Sequence, residues 1–298
     1  MEILKILEGI RAPFFDTLFS LITHLGEETI AMVVICVIFW CFDKRTAYTI
    51  GIAYFISGLS VQGMKICFRI DRPWVIDPAF HPVQSAIGNA TGYSFPSGHT
   101  QSATTLFCAL GAKTKNRPIK AACLLVAILV AFSRMYLGVH TLLDVSVAFV
   151  ISLLFVFLAV RFLASDSADK KRELIISVFM AVFAGAVIFL ASALFSAGKI
   201  EQGYLSDCLK AAGAGVGFAA GMYVERIYIN FSVNAKNVLL QVLKFIIGIA
   251  VVLLIKEGMK LALGDNLAVD TVRYFLMTIW VTALFPLIIR RFFTAKAE

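Results

Sequence analysis

Three short polar clusters interrupt an otherwise apolar chain, and their residue types suit the binding and transfer of phosphate. They span residues 65–73, 96–99 and 133–144. Each cluster contains a basic or imidazole side chain, and such groups bind phosphoryl oxygens or exchange protons near neutral pH. The pattern therefore predicts one site that is assembled from three separate parts of the chain.

Three cations and one helix start predict how this site would hold an anion. Lys65, Arg72 and Arg134 carry positive charges, and the donor fork of an arginine matches the geometry of a phosphate group. A proline directly before Ser97 and Gly98 places the start of a helix there, where free backbone N–H groups attract anions. Gly98 also lets the backbone approach an oxyanion closely, and Ser97 adds a hydroxyl donor. These five residues are the predicted phosphate-binding set.

Two histidines and one aspartate are the predicted catalytic groups. His140 and Asp144 are four residues apart, which places them on one face of a helix. The carboxylate can hold one imidazole N–H, so that the other ring nitrogen is free to act as a nucleophile. His99 lies beside the phosphate-binding residues and suits the role of general acid. Because three cations already neutralise a transferring phosphoryl group, we predict neither a metal ion nor another cofactor.

Each cluster has a simpler interpretation when it is taken alone. The basic residues around Lys65 can extend to the membrane interface, His99 can merely begin a helix, and His140 can form a structural pair with Asp144. The combination favours a functional site, because all three clusters fall on one predicted membrane face and include two of the four histidines.

Composition places the chain in a membrane. Of the 298 residues, 60% are hydrophobic and 15% are charged, and the mean hydropathy is +0.87, whereas a soluble domain has about 25% charged residues. These values exclude a soluble globule and a disordered chain, and six cysteines are too sparse for a disulfide scaffold. The net charge of +8 then indicates basic loops at an anionic membrane surface rather than a nucleic-acid partner.

Apolar segments predict an all-α polytopic membrane protein, because a backbone in lipid must satisfy its own hydrogen bonds. The nine predicted spans are residues 28–42, 46–67, 97–112, 118–137, 141–162, 174–198, 208–230, 237–263 and 271–290. We divide the chain into an amphipathic interfacial segment (1–27), a six-span core (28–198) and a three-span C-terminal extension (199–298).

Basic residues predict the orientation of these spans. Sixteen of the 27 lysines and arginines follow odd-numbered spans, and loops rich in these residues stay on the cytoplasmic side. We therefore expect an N-terminus outside, a C-terminus inside and a site on the extracytoplasmic face of the plasma membrane. The oligomeric state is left open.

A regular series of small residues occurs in the seventh predicted span. Gly213, Gly217 and Gly221 recur at every fourth position, so they lie on one face of the helix. Small residues on one face let two helices approach closely. We expect this face to pack within the chain rather than between two copies of it.

The three polar clusters resemble the signature of the type-2 phosphatidic acid phosphatase superfamily of membrane lipid phosphatases. That signature is K-x6-RP, then PSGH, then SR-x5-H-x3-D, and this chain has the specified residue at every fixed position, namely Lys65, Arg72, Pro73, Pro96, Ser97, Gly98, His99, Ser133, Arg134, His140 and Asp144. The resemblance covers the six-span core. It implies that His140 attacks phosphorus, that Asp144 orients His140, and that His99 protonates the leaving oxygen and then activates water. The phosphate-binding set would hold the phosphoryl oxygens.

The resemblance leads to an expected activity and to two alternatives. We expect a metal-independent hydrolase that acts on a lipid phosphomonoester or diphosphate, with undecaprenyl diphosphate, phosphatidylglycerophosphate and phosphatidic acid as leading substrates. Its partners would be this substrate and the surrounding membrane lipids, without nucleic acid. One alternative is a lipid phosphotransferase that uses the same phosphohistidine. The other is a membrane protein that binds a phospholipid without chemistry.

Overall fold

Helices and their connections make up the computed structural model, which describes residues 1–88, 90–163, 168–264 and 266–293. Within this described part there is no β-strand, which confirms the predicted all-α class. The helices are α1 (Glu2–Gly9), α2 (Pro13–His24), α3 (Glu28–Cys41), α4 (Lys44–Phe68), α5 (Pro73–Ile76), α6 (Gln84–Ile87), α7 (Gly98–Lys113), α8 (Arg117–Tyr136), α9 (Leu142–Leu158), α10 (Lys170–Ser196), α11 (Gln202–Val224), α12 (Val238–Leu253), α13 (Met259–Leu263), α14 (Leu267–Ile279) and α15 (Phe285–Ile288).

All nine predicted spans are helical, but they differ in their capacity to cross a membrane. Six segments are long and apolar enough on their own, namely Lys44–Ile76, Arg117–Tyr136, Leu142–Phe162, Lys170–Ser196, Val238–Leu263 and Leu267–Phe293. The helices α2 and α3 meet the same criterion together, as a pair that is bent by 45°. The remaining predicted spans form α7 and α11, which complete the bundle without reaching that threshold.

The first 27 residues form two helices with different surroundings. Leu4 and Leu7 of α1 are buried in a small cluster with Phe80, whereas Ile6 and Ile10 on the same helix are exposed. The next helix, α2, packs against α8 and bends into α3 between residues 25 and 27. The bend lies at the predicted boundary between the interfacial segment and the core. Since α2 and α3 are long enough together to span the membrane, α2 extends to the level of the polar clusters.

The starts of α7 and α9 are held by their own polar side chains. Ser97 Oγ accepts a hydrogen bond from the backbone N–H of Thr100 at 3.3 Å. Thr141 and Asp144 form a capping box, in which each side chain accepts a hydrogen bond from the backbone N–H of the other. Such caps satisfy backbone donors that a helix start leaves free. Three residues of the polar clusters therefore also define the helices that carry the clusters.

The helix α4 is the centre of the bundle and carries the first polar cluster at its C-terminal end. It contacts α3, α7, α9, α10 and α11. Its residues Ile50, Ile52, Ile56 and Leu59 are buried, and burial of each such side chain contributes roughly 1.5–3 kcal/mol. Because α4 is packed on all sides, the position of its C-terminal end relative to α7 and α9 is well defined.

The glycine face of α11 packs against α14, as the sequence predicts. A Cβ atom on Gly213 would overlap the backbone oxygen of Thr271, and one on Gly221 would overlap Thr282. At Gly217, a Cβ would lie 2.5 Å from the backbone oxygen of Phe275. The backbones of α11 and α14 are therefore in direct contact. The glycine face thus packs two helices of the C-terminal extension against each other.

Replacement of Gly217 by leucine is expected to destabilise the protein by about 1–3 kcal/mol or more, because α11 and α14 would have to separate. The measurement is the thermal unfolding midpoint in detergent. Gly185→Leu on α10 is the matched control, because a Cβ at that position meets no atom within 4 Å. An equal loss of stability in both variants would contradict the assigned packing.

Candidate active site

The three polar clusters meet around one cavity of about 310 Å³. Six of the eight predicted site residues line it, namely Lys65, Arg72, Gly98, His99, Arg134 and His140. The other two, Ser97 and Asp144, are buried behind this lining. The backbone N–H of Ser97 donates to the backbone oxygen of Asp144 at 3.1 Å, so the second and third clusters are directly linked.

The ring of His140 is held in an orientation that defines its tautomer. Its Nε2 atom lies 2.9 Å from Nη1 of Arg72. A guanidinium group only donates hydrogen bonds, so this ring nitrogen must be the acceptor and carry a lone pair. The proton of a neutral ring then resides on Nδ1. The hydrogen bond from Arg72 thus turns Nε2 of His140 toward the cations that line the cavity.

The environment of His140 also favours its uncharged form. The residue lies in the connection between α8 and α9 and is 2% exposed. Burial lowers the pKa of His140 well below its ordinary value, and the positive charges of Arg72 and Arg134 lower it further. At neutral pH the imidazole is therefore neutral, which is the form that can attack an electrophile.

The side chain of Ser94 lies beside both His140 and Asp144. The distance from Nδ1 to Oδ2 is 3.6 Å, which is too long for a direct hydrogen bond. The hydroxyl of Ser94 donates to Oδ2 of Asp144 at 2.6 Å, and its oxygen lies 3.5 Å from Nδ1 of His140. The expected direct contact is therefore lengthened, because the carboxylate is already engaged by Ser94 and by the backbone N–H of Thr141 at 2.7 Å.

The loop before the second cluster fixes two of the three cations. Arg72 donates to the backbone oxygens of Thr91 at 2.6 Å and Gly92 at 2.9 Å. Lys65 donates through Nζ to the backbone oxygen of Tyr93 at 2.6 Å. Consecutive carbonyl groups of one loop therefore hold both cations beside the cavity. This role could not be predicted from the sequence, since a backbone carbonyl is present at every residue.

Arg134 approaches the cavity from α8 and retains binding capacity. It is 1% exposed, and its Nη1 atom donates to Oγ1 of Thr23 on α2 at 2.7 Å. Its Nε atom has no hydrogen-bond partner among the described residues. A buried guanidinium with a free donor suits an anionic ligand, because an unsatisfied buried donor is costly.

The start of α7 brings Gly98 and His99 to the cavity. A Cβ atom on Gly98 would meet nothing within 4 Å, so the backbone at this position borders open space. On the other side, the bend between α2 and α3 approaches closely, and a Cβ on Gly26 would lie 2.8 Å from the backbone oxygen of His99. Gly26 is thus required for close packing of the bend against α7.

Residues outside the three clusters complete the cavity wall. Glu27 and Glu28 come from the bend between α2 and α3, while Tyr204 and Asp207 come from α11 in the C-terminal extension. The ring of Tyr204 stacks on Tyr93 of the loop, with centroids 4.0 Å apart. No spacing in the sequence relates these residues to the clusters, because long-range packing alone brings them together. Within the described part of the chain, no group of three or more His, Cys, Asp or Glu side chains is arranged to hold a metal ion.

A helical membrane bundle that surrounds a neutral buried histidine with three cations defines a membrane-embedded phosphatase. Comparison with family models agrees with this class. Residues 45–168 match the PAP2 superfamily, and residues 209–297 match the PAP2 superfamily phosphatase transmembrane extension. The two matches together cover more than half of the chain, and the protein belongs to the PAP2 superfamily. The predicted resemblance, the enzyme class of lipid phosphatase and the integral membrane character are thereby confirmed.

Individual relatives come from bacteria. The chain is 26% identical to undecaprenyl-diphosphatase BcrC of Bacillus subtilis (strain 168) over 189 residues, which cover 61% of this chain and 92% of the relative. It is 26% identical to phosphatidylglycerophosphatase B of the same organism over 165 residues, or 51% of this chain and 77% of the relative.

Two solved structures are also similar. The crystal structure of LpxE from Aquifex aeolicus has a TM-score of 0.47 and 24% identity, and covers 54% of this chain and 94% of that chain. The crystal structure of the transmembrane PAP2 type phosphatidylglycerolphosphate phosphatase from Bacillus subtilis has a TM-score of 0.43 and 27% identity, and covers 53% and 81% respectively.

Proposed function

We propose that the protein hydrolyses a lipid phosphomonoester or diphosphate through a phosphohistidine formed on His140. The observation that carries this proposal is the position of His140 Nε2, which faces Arg72 with a lone pair at the edge of a cavity lined by three cations. A neutral nucleophile beside fixed positive charges is what transfer of an anionic phosphoryl group requires.

In the first step, Nε2 of His140 attacks phosphorus while Lys65, Arg72 and Arg134 bind the phosphoryl oxygens. The new P–N bond forms as the bond from phosphorus to the leaving oxygen breaks. His99 donates a proton to that oxygen, so that the lipid alcohol, or the shortened lipid phosphate, leaves in neutralised form. Asp144 stabilises the positive charge that develops on the ring of His140.

In the second step, water reacts with the phosphohistidine. His99, which lost its proton in the first step, accepts a proton from water, and the resulting hydroxide attacks the phosphohistidine. The P–N bond breaks, inorganic phosphate leaves, and both histidines return to their starting states. In this scheme Ser97 and Gly98 add donors at the start of α7, and no metal ion takes part.

A lipid substrate agrees with the position of the cavity and with the names of the relatives. The cavity is lined in part by α4 and α8, which belong to segments that are long and apolar enough to cross a membrane. The relatives in Bacillus subtilis bear the names of an undecaprenyl-diphosphatase and a phosphatidylglycerophosphatase. We therefore retain undecaprenyl diphosphate, phosphatidylglycerophosphate and phosphatidic acid as candidate substrates.

We place the active site on the extracytoplasmic side of the plasma membrane, with the N-terminus outside and the C-terminus inside. The supporting observation concerns the opposite end of the bundle. There, Lys44 pairs with Glu225 at 3.0 Å, and Arg226 pairs with Glu173 at 3.2 Å. Most basic residues of the connections lie at that end, as expected for a cytoplasmic face. The division into an interfacial segment, a six-span core and an extension stays part of this proposal.

The experiment is phosphate release by the purified protein in the presence of EDTA. The panel contains undecaprenyl diphosphate, phosphatidylglycerophosphate and phosphatidic acid, each with and without an added lipid alcohol as acceptor. We expect release from at least one lipid without any need for the acceptor. Absence of release from all lipids, or transfer of phosphate to the acceptor in place of release, would overturn hydrolysis as the function.

A further inference from the structure

We propose that the C-terminal extension completes the substrate site with a second chamber, which recognises a hydrogen-bond donor, a hydroxyl or an ammonium group, next to the scissile phosphate. The inference rests on the proposed function and narrows its substrate class. It is carried by a second cavity of about 230 Å³ that adjoins the catalytic cavity. The two cavities share part of their lining, including Glu28, Gln62, Gln101 and Asp207.

The far wall of this second chamber belongs to the extension. Lys210 and Ala214 of α11 and Tyr274 of α14 line the second cavity but are absent from the lining of the catalytic one. A substrate whose phosphate lies among the cations of the core would therefore extend its neighbouring groups toward α11 and α14. The six-span core therefore carries the reacting side chains, while the extension contacts the part of the substrate that lies beyond the phosphate.

Two carboxylates in the chamber are available to accept hydrogen bonds. The side chain of Glu28 makes no hydrogen bond or ion pair with any residue that the structure describes, and Lys256 and Lys210 are charged neighbours at longer range. Asp207 lies 3.9 Å from Lys210, but Lys210 is closer to Asp270, at 3.3 Å. Asp270 also accepts from Ser206 and pairs with Arg273. Lys210 lines the chamber as well, but it is shared between two carboxylates and is not committed to Asp207 alone. Carboxylates only accept hydrogen bonds when ionised, and hydroxyl or ammonium groups are their natural ligands.

A third cavity continues from the second one and is apolar. It has a volume of about 90 Å³ and shares Glu28, Tyr54 and Ala214 with the second cavity. Its other walls include Phe39 and Phe218. The three cavities therefore present, in order, cations, carboxylates and an apolar surface. This order matches a lipid whose phosphate is followed by a donor group and then by the first few carbons of a hydrocarbon chain.

The same charges disfavour a second phosphate group in the chamber. A terminal diphosphate would bring negative charge close to Glu28 and Asp207, and like charges at short distance repel. The chamber thus favours a phosphomonoester of a hydroxylated or amino lipid over a prenyl diphosphate. Among the candidate substrates, phosphatidylglycerophosphate has such a hydroxyl beside its terminal phosphate, and undecaprenyl diphosphate does not.

The test compares lipid phosphates that differ in this donor. Oleoyl lysophosphatidate has a hydroxyl beside the phosphate, sphingosine 1-phosphate has an ammonium group, and oleyl phosphate has neither. For Glu28→Gln and Asp207→Asn we expect KM to rise about tenfold for at least one donor-bearing lipid, as for loss of a hydrogen bond to a charged group. The KM for oleyl phosphate should stay within about twofold. Glu201→Gln, at an exposed position before α11, is the matched control.

On a diphosphate substrate we expect the substitutions to raise the activity, a result that misfolding cannot produce. With farnesyl diphosphate, the double variant Glu28→Gln/Asp207→Asn should show a higher kcat/KM than the wild-type protein. Failure of the wild-type protein on every lipid would overturn the proposed function. If the wild-type protein is active, two results would overturn this inference alone. One is an equal change in KM for all lipids, and the other is an unchanged KM in both variants. Preference for lysophosphatidate over sphingosine 1-phosphate, or the reverse, identifies the donor as hydroxyl or ammonium.

Discussion

The His140→Ala protein should release phosphate with a kcat that is lower by a factor of about 10³ to 10⁵. The reason is that the proposed covalent intermediate forms on the ring of His140. His99 borders the same cavity, but the ring of His140 is the one whose Nε2 atom Arg72 holds at 2.9 Å beside the cavity. The remaining cations would still bind the substrate, so KM should change much less than kcat. Phosphate release under saturating lipid measures both constants.

Two controls separate this loss from a general defect. His81→Ala makes the same substitution at a histidine whose side chain is 80% exposed and pairs with Glu8 outside the cavity. That variant should retain wild-type activity. In addition, brief reaction with ³²P-labelled lipid should leave an acid-labile, base-stable label on the wild-type protein and none on His140→Ala. A folded His140→Ala protein with more than about a tenth of the wild-type kcat would contradict the covalent role.

Local spacing explains why the reacting groups could be predicted from the sequence. The four-residue interval keeps His140 and Asp144 close, with Nδ1 and Oδ2 3.6 Å apart, although His140 precedes α9 and does not share a helical face with Asp144 as predicted. Likewise, Ser97 caps the start of α7 by accepting a hydrogen bond from the backbone N–H of Thr100, three residues later. The nine apolar segments all form helices, because a helix in lipid depends on its own hydrogen bonds more than on its neighbours.

Contacts over long distances in the chain explain what could not be predicted. Ser94 bridges toward His140 and Asp144, which are 46 and 50 residues away, and a lone serine has no pattern that reveals such a position. The bend between α2 and α3 depends on close packing of Gly26 against His99. It brings Glu28 to the cavity, whereas the sequence alone gives Glu28 only as the first residue of a span.

The glycine face of α11 connects the fold of the extension to the site. Because this face allows α14 to approach α11 directly, Tyr274 reaches the chamber that Asp207 and Lys210 border. On the same helix, a Cβ on Gly215 would lie 3.3 Å from Leu59 of α4, so α11 is also held close to the core. Small residues on two faces of one helix thus set the dimensions of the chamber.

Arg72→Lys should lower kcat/KM by about 10² to 10³ even though the positive charge is kept. The guanidinium of Arg72 contacts the backbone oxygens of Thr91, Gly92 and Val139 as well as His140 Nε2. These partners lie in different directions, and the single ammonium group of a lysine cannot reach all of them at once. The variant would lose the anchor of the loop, the orientation of the histidine ring and one N–H donor to the phosphate. We therefore expect both a higher KM and a lower kcat.

Arg69→Lys is the matched control, because Arg69 directly follows α4, is exposed, and its side chain donates to the backbone oxygen of Ile66 outside the cavity. That variant should stay within about twofold of the wild-type kcat/KM. Wild-type kcat/KM in Arg72→Lys would mean that charge alone is required at this position, so that the loop and the histidine ring are held by other contacts. A rise in KM with an unchanged kcat would assign Arg72 to substrate binding and leave the orientation of His140 to Asp144 and Ser94.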